Sequence, residues 1–345
     1  MAASAAVPLA TFTVETNIML MAVAPGFVAT ATSLNVTVRT VSSSPDGLRL
    51  GTPVRTVDVP AASELVLSQD GAWVFVMQRN SNVLTMASLT RPNEQPIPWA
   101  LEGVPTPIYD LHVATNGVLA VVSYNAAHFF DLASRSLMNR ADHQDMLETA
   151  FSPDGRFFAF NTSYDAHLWF LFPSCNSDGC GIEQSKRTTQ GTFTCERCGA
   201  SGPHETAQQQ GLINHFLFET DNDNNDGVDV SRPCLWTDRV AFLRRNSHTI
   251  AIMDTREIMN TDRVQRREVR VPANTEFPVW IGADAMGAIV GADVCRLDLS
   301  GAKARCTHLV QGNRRKPFRN LRFEPETKML TWLSGWRDIH VMRLA

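Results

Sequence analysis

A strand, a tight turn and a second strand, written most clearly in FSPDGRFFAF (Phe151–Phe160), return along most of the chain and constrain its fold more than any other feature. Pro153 presets φ for a turn, Asp154 can bond back to the backbone, and Gly155 can take the positive φ needed before an apolar strand resumes. A polar turn over 161–165 and the apolar HLWFLF follow, so the unit is an antiparallel meander and not a strand–helix–strand crossover. Weaker copies begin at Ile18, Ser63, Ile108, Pro233, Phe277 and Phe318.

Turn landmarks at Gly26, Gly71, Gly117, Gly155, Asp238, Asp284 and Glu326 are separated by 45, 46, 38, 83, 46 and 42 residues. A period of roughly 40–45 residues with four strands per unit is that of propeller blades. The expectation is therefore an all-β protein, a single seven-bladed β-propeller over residues 1–345 with four-stranded antiparallel blades. The doubled interval hides either an eighth blade or an insertion. Residues 174–232 show little strand alternation and four clustered cysteines, so seven blades are expected, with an insertion after the third strand of blade four. The seventh copy stops after three strands, while Thr11–Glu15 alternates like a strand with no hairpin partner beside it. The N-terminal strand is thus expected to close the last blade, because an unpaired edge is a liability.

The turn Ser152–Gly155 and the strand ends Phe130-Asp131, Met253-Asp254 and Leu297-Asp298 resemble the blades of WD-repeat and TolB-like propellers. That resemblance implies a rigid, non-enzymatic interaction or structural scaffold. It also leaves open a propeller hydrolase or lactonase with residues converging on a central channel, for which Asp110, His112, Asp165 and His167 are the candidates. No nucleophile elbow, phosphate loop or local His–carboxylate motif occurs in the sequence.

Formal net charge is -4, but residues 1–230 hold 11 Lys+Arg against 23 Asp+Glu, and 231–345 hold 20 against 12. Such asymmetry suits attachment to a charged partner and is equally a solvated surface. No Lys or Arg precedes the first apolar residues, so no secretory signal is read there, and no apolar run approaches the ~18 residues that cross a membrane. Seven cysteines, four of them in one window, favour a metal site in a reducing compartment over a disulfide framework. An intracellular protein of cytoplasm or nucleus is expected.

Those four are Cys175 and Cys180, then Cys195 and Cys198. A two-residue spacing before Gly lets both thiolates of a knuckle face one ion, and two such arms close a tetrahedron, so a zinc-ribbon-like structural zinc site is expected, with disulfides or free thiols as alternatives. Cys234, Cys295 and Cys306 sit singly on predicted strands and read as buried inert thiols. Asp221, Asp223, Asp226 and Asp229 surround Gly227 like a calcium loop, but the EF-hand register fails, and an Asp/Asn-rich turn explains them as well. Arg314, Arg315, Lys316 and Arg319 form a basic run that could hold phosphates of a nucleic acid or an acidic protein. A metal-braced insertion presenting Lys186, Arg187 and Arg197 is expected to contact a protein partner or a second copy.

Overall fold

The computed structural model describes residues 9–44, 47–162, 165–171, 185–187, 192–195, 201–203, 213–219, 233–236, 238–244, 248–255, 257, 265–313 and 316–344. The chain is all-β, a seven-bladed β-propeller whose blades are four-stranded antiparallel sheets. Blade one pairs Leu20–Ala24, Phe27–Ala31, Val36–Ser44 and Gly47–Val57, and blade two pairs Ala62–Leu67, Trp73–Gln78, Val83–Ser88 and Ile97–Ala100. Blade three is Ile108–Val113, Val118–Ser123, Ala126–Asp131 and Ser136–Asp142. Blade four is Glu148–Phe151, Phe157–Asn161, Asp165–Phe170 and Ile213–Glu219. Blade five is Cys234–Leu235, Arg239–Arg244, Thr249–Asp254 and Arg266–Arg270; blade six is Thr275–Gly282, Ala285–Val290, Asp293–Asp298 and Arg305–Val310. Blade seven takes Phe318–Glu324, Met329–Ser334 and Asp338–Arg343 from the C-terminal end and Leu9–Thr13 from the N-terminal end.

The doubled interval is thus bridged between the third and fourth strands of blade four. Ile213–Glu219, within 174–232, is itself the fourth strand, and the preceding segment carries a separate three-stranded meander of Ser185–Arg187, Thr192–Cys195 and Ser201–Pro203. Among the described residues no helix is long and apolar enough to cross a membrane.

The recurrent turn works through its hydroxyl and its glycine. In blade four the Ser152 hydroxyl donates to Asp154 (2.7 Å) and accepts from the Arg156 and Phe157 amides. Gly155 has φ +72, and a Cβ there would lie 2.4 Å from Asn116 Oδ1 in the turn of blade three. Blade two repeats the device: Ser68 donates to Asp70, and Gly71, at φ +66, backs onto the Phe27 ring of blade one. Both glycines answer two demands, a left-handed backbone and the close approach of a neighbouring turn. The aspartates ending third strands cap the next turn. Asp131 accepts the Ser134 hydroxyl (2.5 Å) and amide (2.9 Å), Asp298 accepts the Ser300 amide (3.0 Å), and these bonds hold both carboxyls below the usual carboxylate range.

The chain divides into two compact units. The first carries the bulk of blades six, seven, one and two, and its cores lie between consecutive sheets. Ile289 and Val294 meet Phe318, Leu330 and Trp332; Met329, Leu333 and Val341 meet Met21 and Val28; Ala24, Ala29 and Val38 meet Leu67, Val74 and Val76. The second carries the bulk of blades three, four and five, with an aromatic seam in which Phe129 meets Phe158 edge-to-face (centroids 5.4 Å) and Phe160 meets Trp169 (4.5 Å). Inner strands such as Val118–Ser123 and Met329–Ser334 are buried along their whole length and so present buried side chains on both faces, which is what a blade packed between neighbours requires.

Candidate metal centre

Of the three cysteines that read as solitary and buried, Cys234 is half-buried on blade five, while Cys295 and Cys306 are not solitary. Cys295 lies on the third strand of blade six and pairs with His308 on the fourth, and Cys306 pairs with Leu297, two residues further along the same ladder. A period of two returns side chains to one face, so Cys295, Cys306 and His308 converge. Their ligand atoms all lie within 4.8 Å of one another, with Cys295 Sγ 3.7 Å from His308 Nδ1. Asp293, two residues before Cys295, joins the group through Oδ2, 2.9 Å from the same Nδ1. Its Oδ1 accepts the Gly312 amide (2.9 Å), which fixes the carboxylate. A register shift between Val294 and Cys295 brings the two strands into this alignment.

Burial is graded across the cluster. Cys295 is fully buried and Cys306 half-buried, whereas the His308 side chain is 57% exposed. Burial pushes the Cys295 thiol up to about 12, reinforced by the hydrogen bond and charge of Cys306 and by the negative charge of Asp293. Two thiols and an imidazole form a donor set able to hold a metal ion, closed by protein on the inside and reached from solvent through His308, with the Asp293 carboxylate beside the imidazole. The sequence did carry a signal for it. Asp-x-Cys and Cys-x-His place ligand types at the two-residue spacing of strands, on two strands expected to be neighbours.

The other predicted residues fall as follows. Cys175, Cys180 and Cys198 lie outside the described residues, as do Arg197, Asp221, Asp223, Asp226, Asp229, Arg314 and Arg315. Cys195 ends the strand Thr192–Cys195, opposite Ser185, while Lys186 and Arg187 pair with Thr194 and Phe193. Lys316 donates to Asp338 Oδ2 (3.0 Å). Arg319 donates to the carbonyls of Gly335 (3.0 Å) and Ile18 (2.8 Å), and its guanidinium lies 3.9 Å over the Trp336 ring, so both described members of the basic run have partners within the fold.

Of the proposed channel residues, Asp110 and His112 come together on the first strand of blade three, and Thr149 meets them from the first strand of blade four. His112 Nε2 is 2.8 Å from Thr149 Oγ1 and 3.2 Å from Asp110 Oδ2, and the Thr149 hydroxyl donates to that same carboxylate oxygen (2.8 Å). His167 instead stacks on Phe160 (4.8 Å, 11°), and Asp165 begins the third strand of blade four. No protein-family model matches the chain, and no curated protein is significantly similar to it.

Proposed function

We propose that this propeller is a non-enzymatic scaffold for protein contact, of the kind its WD-repeat-like and TolB-like blade landmarks suggest. The observation that carries the reading is the Asp110–His112–Thr149 network. A nucleophilic threonine would have to give its proton to the imidazole, but here the hydroxyl donates to the Asp110 carboxylate, with His112 Nε2 2.8 Å from the same hydroxyl oxygen. The histidine and carboxylate that best suit catalysis on these strands therefore brace one blade against the next. Presentation of a surface is what remains, and the insertion is the departure from a plain ring of repeats. In this reading Cys175, Cys180, Cys195 and Cys198 hold a structural zinc, and Lys186, Arg187 and Arg197 meet an acidic face of a protein partner or a second copy. The unpaired thiols of Cys295 and Cys306, side by side, fit the reducing interior of a cell.

Charge reversal tests it. Native co-purification of the wild-type chain is compared with that of the Lys186→Glu/Arg187→Glu/Arg197→Glu variant, and a specific partner or self-assembled species is expected to be lost from the variant. An unchanged profile, together with ester or lactone turnover that disappears in Asp110→Asn, would instead establish the hydrolase reading.

A further inference from the structure

We propose that Cys295, Cys306, His308 and Asp293 bind one zinc ion that staples the edge strand Arg305–Val310 of blade six to its neighbour, at a site separate from the four cysteines of the insertion. With Zn–S near 2.3 Å and Zn–N near 2.0 Å, a tetrahedral angle places sulfur and nitrogen about 3.5 Å apart. Cys295 Sγ and His308 Nδ1 stand 3.7 Å apart, so they already span one edge of that tetrahedron. Cys306 Sγ lies within 4.8 Å of both, and Asp293 Oδ2, 2.9 Å from Nδ1, offers the fourth ligand. Small side-chain rotations complete the set, because two of the four groups reach the surface: His308 is 57% and Asp293 25% exposed.

The chemistry selects among metals. Two thiolates with imidazole and carboxylate suit a borderline ion in four-coordinate geometry, while calcium and magnesium require more oxygen ligands than one carboxylate supplies. As the ion enters, each thiol releases one proton to solvent, and the two thiolates and the Asp293 carboxylate against its two positive charges leave the centre with a single net negative charge. Four protein ligands leave no open position for a substrate, so the role is structural. Residue placement agrees, since the fourth strand is a sheet edge with half of its residues exposed and none buried, and the two cysteines and the histidine bridge it to the third strand.

The test is designed to separate this ion from any zinc in the insertion. Full-length chain is purified under reducing conditions without added metal, and zinc per chain is measured for wild type, Cys306→Ser, His308→Ala and Cys195→Ser. Each protein is then stripped and titrated with cobalt(II), whose thiolate charge-transfer absorption reports the ligands. Cys306→Ser and His308→Ala are each expected to lose one equivalent of zinc, or to bind it at least tenfold more weakly, while Cys195→Ser keeps this equivalent and its two-thiolate cobalt spectrum. His308 is surface-exposed, so its variant remains informative if Cys306→Ser misfolds. The proposal is overturned if zinc content and cobalt affinity are unchanged in both blade-six variants, if copper occupies the site in place of zinc, or if Cys295 and Cys306 are recovered as a disulfide. Zinc lost only in Cys195→Ser would overturn it too, while supporting the insertion site.

Discussion

Blades six and seven join their third and fourth strands at corresponding positions with opposite chemistry, through a regular ladder in blade seven and one that shifts register between Val294 and Cys295 in blade six. In blade seven Asp338 and His340 are the first and third residues of the third strand; in blade six those places belong to Asp293 and Cys295. Opposite His340 stands Thr11, and opposite Cys295 stands His308. The blade-seven histidine is saturated by hydroxyls. Thr11 Oγ1 lies 2.9 Å from its Nδ1, Ser334 Oγ lies 2.7 Å from its Nε2, and the ring stacks on Trp332 at 11°. Thr13 (2.8 Å) and Lys316 (3.0 Å) both donate to Asp338. Those bonds join the chain ends directly and leave the imidazole nitrogens occupied. In blade six a thiol, Cys295, stands in the place of the blade-seven imidazole, the His308 imidazole stands in the place of the Thr11 hydroxyl, and Cys306 stands in the place of Leu9, so the corresponding junction carries a donor set able to hold a metal ion. Ladder position fixes where the side chains meet; their softness decides whether they clasp each other or a metal.

The strongest way to break the comparison is to remove one clasp. Deleting residues 1–13 removes the ladder Leu9–Thr13 and the packing of Ala10 and Phe12 against Ile339 and Val341. Several ladder bonds at about 1 kcal/mol and one half-buried aromatic put the loss on the order of 4 kcal/mol, with aggregation through the bared edge. Thermal melting checks this, and an unchanged midpoint would show that the N-terminal strand does not hold the blade. The second intervention removes metal by chelation in a Cys195→Ser background, where the blade-six ion is the one that remains. If zinc is present at 100 times its dissociation constant, chelation lowers stability by about 2.7 kcal/mol. His308→Ala should lack this response while keeping its full sensitivity to the N-terminal deletion. Third, Thr11→Val leaves His340 Nδ1 without its hydroxyl, at a cost of about 1 kcal/mol in chemical denaturation, with no effect on metal content.

How far the sequence revealed this molecule follows from what each feature depends on. The blades were legible because their turns are local: Ser68–Gly71 and Ser152–Gly155 specify a hydroxyl-to-aspartate bond and a positive φ within a few residues. Closure was legible as a deficit, three strands at one end and a spare strand at the other. The fourth strand of blade four was not, because Ile213–Glu219 sits far from its partner, beyond the cysteine-rich segment. The blade-six centre was missed for a different reason. Cys295 and Cys306 are separated by a hairpin, and they face one another only in the register that the shift at Val294 and Cys295 creates. Counting cysteines favours clusters close in sequence and overlooks pairs that a ladder assembles.

The smallest expected effect, and the sharpest test of hydroxyl saturation, is the acid response of blade seven. Burial lowers the pKa of His340 from the usual 6.5, outweighing the opposing pull of Asp338. The folded state therefore keeps this ring neutral where the unfolded chain takes a proton. Its contribution to stability is complete above pH 6.5 and is lost as the pH falls from there through the lowered value. Asp338 is also depressed, chiefly by the hydrogen bond from Lys316, so its contribution survives that first loss and disappears only below the usual carboxylate value of 3.8. Acidification should thus weaken the clasp in two separate steps. His128 in blade three is lowered further, to about 4, by its own burial, so the whole protein loses stability over the upper window even without His340. The informative quantity is a difference. Denaturant-derived stabilities of wild type and His340→Gln, measured from pH 7 to 5, should converge as the pH falls, with the wild type losing more, while His128→Gln flattens the profile independently. Parallel wild-type and His340→Gln profiles would mean that the ring titrates as it does in the unfolded chain and that its burial between Thr11 and Ser334 does not govern the clasp.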